Sequence, residues 1–385
     1  MTALRIFLLW AAGLGAAAQF SKISVFFPLV ESLYASAGAA TGFLLTVISL
    51  TGALIGLTAG LLSTRIGLRP LLVWALVLGG LLSVVQASLP SFPMMLALRL
   101  VEGLSHLAIV VAAPTLILQV SPIAWRGAAM TLWGTFFGVA FAGTALLGTP
   151  IVEAFGIGSI FSVHGIWMLV LAAALHFALA EVETRRAQEP ISGLGDLVRQ
   201  HISIYVSPSV AAPALGWLFY TFTFVAALTV LPSYIDAADR LFALTAMPLA
   251  SIIVSLTLGV LALRFMTAVN LTIGGFCLAI LVVGLIGLQG VTAWLAILLL
   301  GTLGLVQGAS FAAIGELVES QTDRANASGA LAQMGNVGNL LGTPVFLFAG
   351  SSGGLYAVAC IMVAAYCAGM AAHIWCGSRR GGLRA

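Results

Sequence analysis

Four side chains of this 385-residue chain have the types and spacing for chemistry in an apolar setting. Lys22 is its only lysine, and it interrupts a long apolar run. Gln19 stands three residues before it and Phe26 four after it, so on a helix the three share a face. A second apolar run carries Arg99, Glu102 and His106 at i, i+3 and i+7, again one helical face. Arg5 and Glu31 bracket the first run, which puts its midpoint near residue 18 and Lys22 about 6 Å to one side at the 1.5 Å rise of a helix. A charge at that depth costs about 2.5–3.5 kcal/mol unless it meets water or a partner. Lys22 and Arg99 offer positive charge to an anion. Glu102 and His106 are candidates for carrying a proton, imidazole being the side chain that titrates nearest neutral pH.

These residues need elements that lipid accepts. The chain is 61% hydrophobic and only 7% charged, with a mean hydropathy of +1.15, whereas a soluble domain carries about 25% charged residues. A water-facing surface cannot be built from so few charges. A soluble enzyme, a disordered chain and a nucleic-acid binder are excluded, and the net charge of +3 is scattered between apolar stretches. Twelve apolar runs long enough to span a bilayer occur, at about 5–29, 41–63, 70–89, 93–119, 127–151, 157–180, 209–233, 242–263, 267–288, 291–318, 326–349 and 354–376. In lipid each must be a helix, because only a helix satisfies its own backbone there. Ala16, Ala17 and Ala18 mimic a signal-peptide cleavage site, but the apolar run continues through Phe26, Phe27 and Leu29. The first span is therefore read as a retained helix.

With the N-terminus in the cytoplasm, twelve arginines fall in cytoplasmic segments, Arg65, Arg69 and Arg126 among them, and only Arg240 in an outer loop. Both ends then lie inside. The longest connection, from Glu181 to about Pro208, is charged and separates six spans from six. Cys277, Cys360, Cys367 and Cys376 fall in or beside apolar segments of the second half without metal-like spacing, so no disulfide frame, metal or cofactor is expected. The intramembrane residues form no Ser/His/Asp set, no His-Glu-x-x-His and no phosphate loop, so no enzyme is expected either.

The two halves repeat at an offset of roughly 200 residues. Residues 98–105 read LRLVEGLS and 303–310 read LGLVQGAS, agreeing at five of eight positions, while 146–150 and 340–344 are the same pentapeptide, LLGTP. Gly60 precedes Arg65 by five residues, as Gly259 precedes Arg264. The segment from Gly60 to Arg69 resembles the loop between spans two and three of the major facilitator superfamily, Gly-x-x-x-Asp-Arg-x-Gly-Arg-Arg/Lys. Gly60, Arg65, Gly67 and the basic Arg69 match, and Thr64 replaces the Asp. Arg99-Leu100-Val101-Glu102-Gly103 fits that family's Arg-x-x-Gln-Gly with Glu for Gln. Its antiporter Gly-Pro pair in the fifth span is absent.

The resemblance covers almost the whole chain. It implies an all-α integral membrane fold of 12 transmembrane helices in two pseudo-symmetric six-helix bundles, here residues 1–183 and 208–385 joined by a cytoplasmic linker, 184–207. It also implies secondary transport by alternating access. In that fold the first and fourth spans line the central cavity, where Lys22, Arg99, Glu102 and His106 converge with a sum of +1, His106 being taken as neutral. The expected substrate is then a small organic anion, bound by Lys22, Gln19, Arg99, Tyr220 and Gln307. Glu102 and His106 serve proton coupling, and Gly60, Thr64, Arg65, Gly67 and Arg69 form a conformational latch. His164, in a span peripheral in the fold, is read as a structural, hydrogen-bonded residue.

Gln333, Asn336 and Asn339 either line the cavity or bond a neighbouring helix. Glu316 and Glu319 are read as partners of basic loop residues. Gly134/Gly138 and Gly338/Gly342 are small-residue pairs for close helix packing. Two other readings stand beside this one, a proton-coupled drug exporter and a non-transporting relative that assists membrane assembly or binds a pigment. The partners implied are the substrate, a proton or other coupling ion and the lipid bilayer, with no nucleic acid. The implied setting is a monomer in a bacterial inner membrane. Lys22→Ala is expected to abolish uptake of the anion while leaving the protein expressed. Unimpaired uptake by that variant in vesicles removes the anion site.

Overall fold

The computed structural model describes residues 1–56, 67–181 and 194–382. Among the described residues there are helices and no strands. The first half holds α1 (Thr2–Ser24), α2 (Phe27–Leu33), α3 (Ala35–Thr46), α4 (Ser49–Gly56), α5 (Leu68–Gln86), α6 (Phe92–Val120), α7 (Arg126–Gly134), α8 (Phe136–Phe155) and α9 (Gly158–Ala178). The second holds α10 (Leu194–Val206), α11 (Pro208–Val230), α12 (Ala237–Ala262), α13 (Ala268–Gln289), α14 (Ala293–Leu317) and two further helices, α15 at 321–352 and α16 at 355–382.

Ten of the described helices are long and apolar enough to cross a membrane, and the bent pair α3–α4 makes 11. The tenth runs 55 residues, about 80 Å at 1.5 Å per residue against a hydrocarbon core of about 30 Å. It divides where Gly353 and Gly354 leave helical geometry, Gly354 at φ 59°. That division brings the count to 12. Exposed faces carry large apolar side chains such as Trp74, Phe155, Leu281 and Leu288, a surface suited to lipid and not to water.

Three spans depart from the sequence expectation. The first ends at Ser24 and not at 29, because Pro28 lacks an N–H and its ring collides with the carbonyl four residues back. The second, as far as it is described, is two helices, α3 and α4, at 48° to one another. The fifth is α7 plus α8, parted at Thr135, whose hydroxyl donates to Leu132 O at 2.7 Å and accepts from Trp10 Nε1 at 3.2 Å.

Contacts divide the chain into two compact units, one of residues 1–51 and 58–190, the other of 52–57 and 191–385. In the first, α1 packs on α6, α8 and α9, and α5 on α6 and α9. In the second, α11 packs against the α15–α16 segment, and α14 against α12 and α13. The repeated glycine does the same work in each unit. A Cβ at Gly103 of α6 meets the backbone of Ile48 and, at 2.8 Å, Thr51 Oγ1, beside the α3–α4 bend. A Cβ at Gly308 of α14 meets Ser255 Oγ at 2.7 Å, where α12 widens into a π-turn over Ser255–Gly259. The missing side chain seats each helix against an irregular turn of its neighbour.

The paired glycines expected for close packing fall into two groups. Gly338 and Gly342 of α15 press on the α11 backbone at Leu218 and Phe222. Gly134 has open space beside it, so it ends α7 and does not seat a helix. On α10, Ile204 is buried with Val210, Ile314 and Leu331, and the Tyr205 hydroxyl donates to Gln333 Oε1 at 2.7 Å. Burial pushes the Tyr205 phenol up to about 12, so it remains a donor at every ordinary pH.

Gly338→Leu forces α11 and α15 apart and is expected to cost about 1–3 kcal/mol. Gly134→Leu is expected to be near neutral. Thermal unfolding of the two purified variants separates these outcomes, and equal stabilities count against the packing argument.

Candidate functional site

The first unit holds a sealed group of charges. Lys22 stands in the last turn of α1, Arg99 and Glu102 one turn apart on α6, Ser83 and Gln86 one turn apart near the end of α5, and His164 on α9. Lys22 is 1% exposed, and Arg99, Glu102, Ser83 and Gln86 are 0% exposed. Glu102 is the hub. Its Oε1 receives Lys22 Nζ at 2.7 Å, and its Oε2 receives Arg99 Nη1 at 2.6 Å and Gln86 Nε2 at 2.7 Å. Two cations and an amide on one carboxylate hold it ionised, and such charge-assisted bonds are the strong ones.

The ammonium has further partners: Gln86 Oε1 at 2.8 Å, Ser83 Oγ at 3.0 Å and His164 Nδ1 at 3.3 Å. It also lies 5.2 Å from the centroid of the Phe161 ring. Arg99 Nε donates to Leu44 O, a carbonyl beside the α3–α4 bend, at 2.7 Å. The second span thus binds the charged group through its backbone. Among the described residues Arg99 Nη2 and Gln19 Oε1 are buried without a hydrogen-bond partner.

The sequence grouped Lys22 with Gln19, Arg99, Glu102 and His106. Lys22, Arg99 and Glu102 do converge, and the ion pairs join all three. Gln19 Nε2 donates instead to Ser105 Oγ at 3.1 Å, which passes its own proton to Ala75 O at 2.7 Å. His106 is held apart. A carbonyl only accepts, so its Nδ1 donates to Ala16 O at 3.1 Å, and Phe20 meets the ring edge-on at 5.0 Å. His164 is hydrogen-bonded, as expected, but its partners include the ammonium itself.

Ser83, Gln86 and His164 are the residues that sequence reasoning left out of the site. The available signal was Ser83 and Gln86 at i, i+3, a polar face on an otherwise apolar helix.

Tyr220 and Gln307 lie in the second unit. Tyr220 is buried and stacks on Trp217, with ring centroids 4.3 Å apart, and Phe311 meets Trp217 at 5.1 Å. Gln307 Oε1 accepts from Ser251 Oγ at 3.2 Å. The hydroxyls of Thr221 and Thr223 donate to carbonyls of their own helix. Gln333 takes the hydrogen-bonding alternative, accepting from Tyr205 and donating to Ala53 O at 2.8 Å. Asn336 Nδ2 donates to Ala332 O at 2.9 Å. Glu316 accepts from the Ala268 backbone N–H at 2.6 Å, capping α13 where a basic partner was expected.

Of the latch residues, Gly60, Thr64 and Arg65 lie outside the described residues. Gly67 precedes α5 at φ 91°. Arg69 donates through Nη2 to His176 O at 2.9 Å and through Nη1 to Ala180 O at 3.4 Å, while Arg5 Nε donates to Ala178 O at 2.7 Å. Two guanidinium groups thus cover the negative end of α9, all within the first unit. Among the described residues no group of three or more His, Cys, Asp or Glu side chains is placed to hold a metal.

Residues 9–343 match the family model of the Major Facilitator Superfamily, and the chain belongs to that superfamily of multi-pass membrane transporters. No curated protein sequence matches the chain. Its fold is similar to that of a bacterial homolog of the human lysosomal transporter Spinster, solved in an inward-facing and unoccupied conformation. The TM-score is 0.72 at 15% identity, over 97% of this chain and 94% of that one.

The charges differ in what their loss leaves behind. Glu102→Gln strands two buried cations and is expected to cost about 3–5 kcal/mol. Lys22→Met leaves Glu102 still paired with Arg99 and Gln86 and is expected to cost less, because the large cost of breaking a buried pair is that of the uncompensated charge left behind. Chemical or thermal denaturation of the two variants in detergent tests the ranking. The reverse order contradicts Glu102 as the hub.

Proposed function

We propose that this chain is a secondary transporter that moves a small organic anion across the membrane by alternating access. On this reading two bodies, residues 1–183 and 208–385, rock about the bilayer midplane, joined by the linker 184–207. The observation that carries the anion reading is the charge sum of the sealed group. Lys22 and Arg99 bring two positive charges and Glu102 one negative, which leaves +1 in a medium of low dielectric. Arg99 Nη2 is buried and without a partner among the described residues, a donor left over. A carboxylate is the complement of both.

The contact residues expected from the sequence take unequal parts. Lys22 has its hydrogens committed to Glu102, Gln86 and the Ser83–His164 side, so its contribution to an anion is long-range charge. Arg99 is the direct contact. Trp217 and Tyr220 offer an aromatic surface and Gln307 an amide, which suits a monocarboxylate with an apolar part. The proposed setting is a bacterial cytoplasmic membrane, with both chain ends inside and the protein working as a monomer. The arginine distribution supports that orientation.

Thermal stabilisation of the purified protein tests the sign of the site. The ligands are acetate, lactate and benzoate on one side, choline and tetraethylammonium on the other. A ligand at about 100 times its Kd stabilises by about 2.7 kcal/mol, a rise of several degrees. Such a rise is expected with a carboxylate and not with the cations. Stabilisation by the cations alone favours the drug-exporter reading and ends this one.

A further inference from the structure

His164 is fixed in one protonation pattern by its neighbours. Its Nε2 faces Gly15 O at 3.0 Å, and a carbonyl only accepts, so Nε2 carries a proton. Its Nδ1 faces the Lys22 ammonium at 3.3 Å and Ser83 Oγ at 2.9 Å. An ammonium only donates, so beside a charged Lys22 the Nδ1 atom is a bare lone pair and the ring is neutral. A second proton on Nδ1 places two donors face to face. The pair therefore has one seat for a proton between its two nitrogens.

The network accepts the proton at either end. With Lys22 charged, its three hydrogens serve Glu102 Oε1, Gln86 Oε1 and the Ser83–His164 side. Move one proton, and the Nζ–H bond breaks as an Nδ1–H bond forms. The neutral amine keeps two hydrogens for Glu102 and Gln86 and offers its lone pair to Nδ1–H. The imidazolium keeps Nε2–H on Gly15 O. With Lys22 charged the Ser83 hydroxyl donates to Nδ1 at 2.9 Å; with the ring charged it accepts from Nδ1–H and donates to Phe161 O at 2.8 Å. The sum of charge on the pair stays +1, and no buried polar atom of the pair loses its partner.

The other titratable groups facing the pair are few. From α6 come Glu102, held by three donors, Arg99, which donates to Glu102 and to Leu44 O, and His106, whose Nδ1 is spent on Ala16 O. From α5 come only Ser83 and Gln86. The one titratable residue of α8, Glu153, is exposed one turn from that helix's end.

We propose that Lys22 and His164 hold a single exchangeable proton between them, and that this pair is the proton-coupling site of the chain. The shared proton stands on the geometry alone. The word coupling rests on the transport reading above, whose substrate class it does not depend on.

Nitrogen-15 magnetic resonance of the full chain in lipid bilayers, labelled at histidine, tests the first half. His164 is assigned by its disappearance in His164→Asn. The wild type is expected to show His164 protonated at Nε2 and bare at Nδ1. At about pH 6, Lys22→Met is expected to raise the imidazolium fraction of His164 by about fivefold or more, its competitor for the proton being gone. A neutral wild-type ring protonated at Nδ1 and bare at Nε2, or an unchanged fraction in Lys22→Met, overturns the shared proton.

Benzoate uptake into proteoliposomes tests the second half, as the ratio of rates with and without an imposed pH gradient. A wild-type ratio well above one that falls to about one in His164→Asn is the expected result. A ratio of one in the wild type, or one that His164→Asn leaves unchanged, overturns coupling through this pair. Absence of benzoate uptake counts against the substrate reading, and the imidazole spectrum then decides the proton by itself.

Discussion

A carboxylate shared by two cations organises the first half of this protein. Lipid and packed helices offer no water to solvate Glu102, Lys22 or Arg99, so each must be satisfied by the others or by the backbone. Glu102 has four helices' worth of consequences. It draws the end of α1 toward α6 through Lys22, holds Gln86 of α5, and through the ammonium brings in His164 of α9. Arg99 extends the group to the second span, where the bend between α3 and α4 sits beside the carbonyl it uses. Loss of Glu102 strands both cations, and loss of Lys22 removes the ion-pair link between α1 and α6, so the members hold one packing together.

The rest of the architecture serves close approach. Gly103 follows Glu102 directly and lets α6 lie against Ile48 and Thr51, which keeps Arg99 within reach of Leu44. Gly79 of α5 leaves the space that Gln19 and Ser105 occupy. In the second unit Gly308 and Gly338 do comparable work against Ser255 and the α11 backbone, so the two halves share a packing scheme. Helix ends follow the same economy of partners. Arg5 and Arg69 cover the carbonyl end of α9, and Glu316 covers the N–H end of α13.

This asymmetry bears on function. The first unit carries the surplus positive charge and the second carries aromatic and amide groups. The proposed anion reading rests on the charge of the first unit's group. A carrier of organic cations needs the opposite sign where Lys22 and Arg99 stand. The membership in the Major Facilitator Superfamily fixes the general architecture, while the proposed sign of the ligand rests on these few side chains.

The sequence by itself determined the medium, the helical class and the family resemblance. Apolar runs of bilayer length admit only helices, and the repeated Gly and LLGTP segments mark the two halves. It also placed Arg99 and Glu102 together, because they are one turn apart on one helix. The meeting of Lys22 with Glu102 was legible only through the resemblance, since 80 residues separate them. Where the first span stops was written in Pro28, a local rule that an apolar count overlooks.

What only the tertiary structure decided is which side of each helix faces which neighbour. A helical wheel groups Gln19, Lys22 and Phe26, yet a rotation of a few tens of degrees selects Ser105 for one and Glu102 for the other. His164 and Gln86 joined the charged group, and His106 left it, by that same rotation. Such azimuths are set by the summed packing of several helices, and no single stretch of sequence contains that sum.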